Sequence, residues 1–220
     1  MAEILTPDRI ETGKTIDSYV NSIIEPDEFR AFNKLGEILN YKTKDGKNPL
    51  HEHSFVFLFI ERALFKYYTS KKKGEKDKLN IRNPRTDICG KMTPPINIYN
   101  NFIRIDMLYR AVNHEGIFVL DRTSGNITNN GLIIPIDFED LYIKFGVNDD
   151  IKLIEKTGYP ISNTPEIGTK SKAMLYFSIY HPEVSFMKFD GDCYIIKKGK
   201  VAYLHKENDF KNSGLSPLLP

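Results

Sequence analysis

Near residue 100 the spacing of apolar side chains changes from a helical to a strand period, and no other feature constrains the fold as much. Before the switch, Tyr19, Val20, Ile23 and Ile24 form one helical stripe, and Phe29, Phe32, Leu35, Ile38 and Leu39 form the next, within Thr15–Leu39. Pro26 fits the first turn of the second helix, with Asp27 and Glu28 where acidic groups favour the helix dipole. Asn48-Pro49 then predicts the start of a long helix reaching about Ser70, apolar nearly all round and so central. Residues 71–95, rich in Lys, Arg, Asn, Pro and Gly, read as a surface loop.

After the switch, Ile103, Ile105, Met107, Tyr109 and Ala111 alternate with Arg104, Asp106, Leu108 and Arg110, which is strand behaviour. Gly116–Leu120 and Leu132–Ile134 predict short strands, with turns at Asp121–Asn126 and Asn129-Asn130-Gly131. Two helices are expected over Phe138–Phe145, closed by Gly146, and Asp149–Lys156, closed by Gly158. A polar loop (Pro160–Lys172), a strand (Met174–Ile179) and a short helix from Pro182 follow. The last element is a hairpin joining Cys193–Ile196 to Val201–Leu204 across Lys197-Lys198-Gly199-Lys200. The expected class is α+β, a helical N-terminal lobe followed by a mixed or antiparallel sheet with short helices. Residues 1–95 and 96–220 would together make one compact domain.

Composition limits the function. The 220 residues carry a formal net charge of +2, too little for a global field that drives the chain onto nucleic acid or membrane. The cluster from Lys71 to Arg85 gives an acidic partner a local contact, but Glu75 and Asp77 dilute it and no stacking aromatics interleave it. Cys89 and Cys193 fit two free thiols in a reducing compartment. The N-terminal residues show no basic-then-apolar pattern, so a cytoplasmic location is expected, and secretion without a signal peptide fits equally. His51-Glu52-His53 has no third ligand nearby and reads as an exposed helix start rather than a metal site.

The string Gly191–Val201 resembles the strand-turn-strand of cyclic-nucleotide-binding domains, but the phosphate-binding segment of that family has no counterpart here, which leaves a plain hairpin. A second resemblance is ordered along the chain. Leu108-Tyr109-Arg110-Ala111 closes a strand, Tyr176-Phe177-Ser178 lies well downstream, and Glu207-Asn208-Asp209 follows the last hairpin. This order resembles the ADP-ribosyltransferase toxin fold of the cholera-like and clostridial binary-toxin kind. The family's serine-threonine-serine stands here as Tyr176-Phe177-Ser178, and its glutamate pair ends in Asp209.

The resemblance implies NAD as substrate, with Arg110 gripping its pyrophosphate and Tyr109 beside it. It implies that Ser178 orients Glu207, the catalytic carboxylate, and that Asp209 faces the macromolecular target. The residue types suit the chemistry. A strand-end guanidinium can clamp a pyrophosphate bidentately. A carboxylate stabilises the oxocarbenium-like ribose formed when the nicotinamide bond breaks. The alternative is a non-enzymatic binding or assembly protein of the viral kind, acting through an aromatic-rich surface. A small nuclease lacks an evident carboxylate cluster for its metal.

Overall fold

The computed structural model describes residues 24–39, 54–72, 74–75, 77–81, 90–100, 116–160, 166–190 and 192–206. In chain order these form α1 (Pro26–Leu39), β1 (Phe55–Ile60), α2 (Arg62–Ser70), β2 (Asn80–Ile81), β3 (Gly90–Asn97), β4 (Ile117–Asp121) and β5 (Asn126–Ile133). They continue with α3 (Phe138–Phe145), α4 (Asp150–Thr157), α5 (Thr169–Tyr180), β6 (Ser185–Asp190), β7 (Asp192–Lys197) and β8 (Lys200–Lys206). The class is α+β, built on one mixed sheet of order β2-β5-β4-β1-β6-β7-β8, with β3 also paired to β5.

β1 organises the sheet. Its sequence, Phe-Val-Phe-Leu-Phe-Ile, is buried at every position. It pairs parallel with β4 and antiparallel with β6. Phe55, Phe57 and Phe59 point to one face, where Phe118, Met187 and Phe189 join them beneath Phe32 and Leu35 of α1. Val56, Leu58 and Ile60 point to the other face, covered by α2 and by α3 to α5. The rings of Phe57 and Phe118 stack at 5.1 Å, and those of Phe32 and Phe189 at 4.9 Å. A strand apolar on both faces needs cover on both, so the sheet is the middle of three layers.

Five expectations are corrected. The long helix expected over Asn48–Ser70 is β1 followed by α2 where described, because an apolar run without polar interruption has no period to separate strand from helix. Chain direction changes at Glu61, which is extended (φ −67°, ψ 140°). The expected loop at 71–95 contains β2 and most of β3. Pro94-Pro95 fall where the β3–β5 register breaks, between Lys91 and Ile96, a position that tolerates a missing donor.

Asn129-Asn130-Gly131 lies inside β5 rather than in a turn. Gly131 takes φ 78° at a register shift, and a Cβ on Gly116 would come within 2.5 Å of its Cα. Finally, the strand expected at Met174–Ile179 is part of α5, and the helix expected from Pro182 is a turn leading into β6. The α5 run is again apolar on all sides, pressed between sheet and α3. The helix expected over residues 15–24 and the strand over 102–112 lie outside the described residues, apart from Ile24.

α3, α4 and the final hairpin match their expected places. Asp137 and Asp149 cap the helix starts through Asp140 N and Lys152 N, and Gly146 and Gly158 end the helices in the left-handed region. In the β7–β8 turn Lys198 (φ 53°) and Gly199 (φ 68°) are both left-handed, the geometry that matches strand twist.

The first turn of α1 is fastened to the sheet by charge. Lys197 Nζ donates to both oxygens of Glu28, at 2.9 and 2.7 Å, and both residues are buried. Arg122, just after β4, clamps Asp27 at 2.7 and 3.1 Å. Removing one member of a buried pair strands the other charge. Lys197→Met should therefore cost about 3–5 kcal/mol in urea unfolding, while Lys197→Met with Glu28→Leu should recover most of it. Equal losses in single and double variants would remove the pair from this account. In the hairpin turn, Lys198→Asn should raise stability by ~0.5–1 kcal/mol, since asparagine tolerates the left-handed region better than lysine.

Candidate functional site

The strand directions define two edges. β1 and β4 begin at the lower edge, where β6 and β8 end; at the upper edge β1 and β4 end and β6 begins.

At the lower edge α5 starts after Gly168, with no side-chain cap and no acidic residue in its first turn. Thr169 and Lys170 are exposed there, and the free N–H groups of a helix start favour anions. Ser171, buried in the same turn, shares a 2.7 Å hydrogen bond with Tyr159 Oη. Tyr159 also bonds the hydroxyl of Tyr194 on β7 and receives Lys188 Nζ from β6 at 3.3 Å. Lys188 lies 5.5 Å above the Tyr194 ring and 3.1 Å from Asp190. Burial, then the neighbouring Tyr159, pushes the Tyr194 hydroxyl far up, so it stays protonated.

Beside this cluster Lys172 bridges to Asp150 at 2.9 Å and to Tyr142 Oη at 3.1 Å, while Ile167 N donates to Asp150 at 3.0 Å. Burial pushes the Asp150 carboxyl up, but Tyr142, Lys172 and the Ile167 amide outweigh it and hold the group below its ordinary value. Burial lowers Lys172, and Asp150 with Tyr142 reverses that, so it stays charged. The lower edge thus presents two restrained ammonium groups, an open helix start and a chain of hydroxyls. Such an arrangement suits a phosphate-bearing ligand.

The upper edge holds a depression of about 380 Å³ lined by Glu61, Ala63, Leu64, Tyr67, Arg122 and Glu183. Its cation Arg122 is committed to Asp27, and both carboxylates on its wall oppose anions.

Of the residues singled out by sequence, Ser178 is described, and it sits in α5 rather than at a strand start. It is fully buried; its hydroxyl donates to Leu175 O and accepts from Gly199 N, both at 3.0 Å, toward the upper edge. Tyr109, Arg110, Glu207, Asp209, His51 and His53 lie outside the described residues. In the basic cluster, Lys71 pairs with Asp77 at 2.9 Å and Lys78 donates to Lys71 O; Lys73, Lys76, Arg82 and Arg85 lie outside. Sequence reasoning missed Lys172, Lys188, Tyr159 and Tyr194, and its one available signal was the glycine, hydroxyl and lysine string Gly168–Lys172, taken for loop.

Among the described residues no group of three His, Cys, Asp or Glu could hold a metal ion, and no helix is long and apolar enough to cross a membrane. No family model matches the chain, and no curated protein does. Among solved structures, a double cysteine mutant of DacA from Staphylococcus aureus is similar at a TM-score of 0.43 and 12% identity, covering 86% of this chain and 95% of that one. A similarity at that level carries no argument about this protein.

Proposed function

We propose that the protein is a nucleotide-using enzyme whose site lies at the lower edge, with phosphates at the start of α5 near Lys172 and Lys188. The observation that carries this reading is the uncapped start of α5, which carries Lys172 and whose Ser171 joins the Tyr159, Tyr194 and Lys188 cluster. The finer reading is ADP-ribosyl transfer from NAD to a macromolecular target, as in toxins and effectors. What supports it is chain order: Leu108-Tyr109-Arg110-Ala111 precedes β4, and Glu207-Asn208-Asp209 follows β8. β4 and β8 are four strand spacings apart, about 19 Å, with β6 and its Lys188 between them.

In this reading Arg110 and the lysines hold the pyrophosphate, and Glu207 stabilises positive charge on the ribose as nicotinamide leaves. Ser178 takes no part, because its hydroxyl is spent inside the fold. Ser171 is the α5 serine at this edge.

Titration calorimetry with NAD and with ATP tests the coarse reading. Lys188→Met should weaken binding roughly tenfold, the loss of one charge-assisted contact of ~1.5 kcal/mol. No binding of either nucleotide would end the proposal. Nicotinamide release tests the finer one: Glu207→Gln should bind NAD normally yet free nicotinamide from it ~100-fold more slowly. Nucleotide binding with no release, alone or with cell lysate, would leave a nucleotide binder and discard ADP-ribosyl transfer.

A second reading, a binding or assembly protein, is favoured by Phe138, Ile143 and Ile151, exposed on the outer helices α3 and α4 at 43%, 69% and 55%. A dimer in light scattering that Ile143→Asp dissociates would support it, and a monomer at high concentration would count against it.

A further inference from the structure

α3 follows β5 at the lower edge, its start fixed by the Asp137 cap. Its inner stripe, spaced three or four residues apart, is Phe138, Leu141, Tyr142 and Phe145. Leu141 and Phe145 are buried, and Tyr142 packs against the same core. Phe138 continues this stripe into the first turn, yet it is 43% exposed. Ile143, by contrast, lies off the stripe, where exposure is what an outer face gives. The Phe138 ring is uncovered because the core ends before reaching it, not because the helix turns it outward.

A cation on α5 stands beside the ring. Lys172 Nζ lies 5.7 Å from the centre of the Phe138 ring, and farther along the pair Lys144 Nζ lies 4.9 Å from the Tyr180 ring. α3 and α5 therefore run side by side in the same direction, with Phe138 against the first turn of α5. Among the described residues Asp150 and Tyr142 take two of the three N–H groups of Lys172, which leaves one for a phosphate oxygen. Ring and ammonium thus place an apolar π face next to positive charge at the open start of α5. An inorganic anion or a sugar phosphate uses only the charge. A nucleotide uses both, since its planar base stacks on the ring while its phosphates meet the cation.

We propose that Phe138 is the base platform of the lower-edge site, the surface on which the nucleobase of a bound nucleotide stacks. This rests on the reading of that edge as a nucleotide site and adds its base-binding side. Stacking asks for a π face and for no particular hydrogen bonds on the base edge, so the adenine shared by ATP and NAD satisfies it.

Titration calorimetry compares wild type with Phe138→Leu, which keeps the apolar bulk against α5 and removes the ring. The ligands are ATP, NAD and inorganic tripolyphosphate. Phe138→Leu should bind the nucleotide roughly tenfold more weakly, the usual size of one lost base–aromatic stack, and tripolyphosphate as wild type does. The chain has no tryptophan, so Phe138→Trp carries a single reporter. Its fluorescence should be quenched by the nucleotide and not by tripolyphosphate, and Ile143→Trp on the outer face should respond to neither. Equal nucleotide affinity in wild type and Phe138→Leu, or a Phe138→Trp variant that binds nucleotide without quenching, would overturn the platform and leave the nucleotide site standing. Equal weakening toward nucleotide and tripolyphosphate would make Phe138 a support of the phosphate side and overturn it too. Failure of the wild type to bind either nucleotide would remove the site and the platform together.

Discussion

Much of the architecture depends on the burial of β1 on both faces. Six apolar residues in a row leave no side of the strand that water can occupy. The sheet must be covered twice, and the chain supplies α1 on one face and α2 to α5 on the other. A parallel partner for β1 fits the same demand, since parallel pairs are held where both faces are dry. The outer strands are more polar: β2 is exposed or half-buried, and β3 carries two prolines that limit further pairing on its side.

Two-sided burial also explains where charge is found. Inside the sheet no polar group can be hydrated, so ionisable residues collect at the edges where strands stop. Lys197 stands at the end of β7 and meets Glu28 there; Arg122 follows β4 and meets Asp27. Both pairs lie at the upper edge, where they fasten α1 and leave the local cations engaged. At the lower edge the ammonium of Lys188 is held by Asp190 and by a neutral hydroxyl, and beside it stands a helix start with no acidic residue. The phosphate site proposed at the lower edge thus rests on local charge rather than on net charge.

The parts legible in sequence were those with local instructions. α3 and α4 carry an aspartate at the start and a glycine at the end, and the β7–β8 hairpin carries a glycine where a left-handed residue is needed. β1 and α5 were misread for one shared reason. When every side of an element is buried, polar residues no longer mark its outward face, and the period that separates strand from helix vanishes. α5 shows this plainly, with Ala173 through Ser178 all buried. The site was hidden for a different reason. Ser171, Tyr159, Tyr194 and Lys188 meet only because β6 runs back beside β1 and sets β7 next to it. No local pattern encodes that meeting.

α5 reaches both edges, so the question is whether it couples them. Its first turn carries Ser171 and Lys172, and its last residue precedes His181. Its middle is fixed from several directions. Tyr176 and Tyr180 donate to Asp140 of α3 at 2.8 Å, and Ser178 accepts from Gly199 in the β7–β8 turn. Gly199 packs closely there, since a Cβ on it would meet Phe145 at 3.0 Å and Ile179 at 3.2 Å. A close-packed helix anchored at its centre does not slide as a piston when one end changes charge.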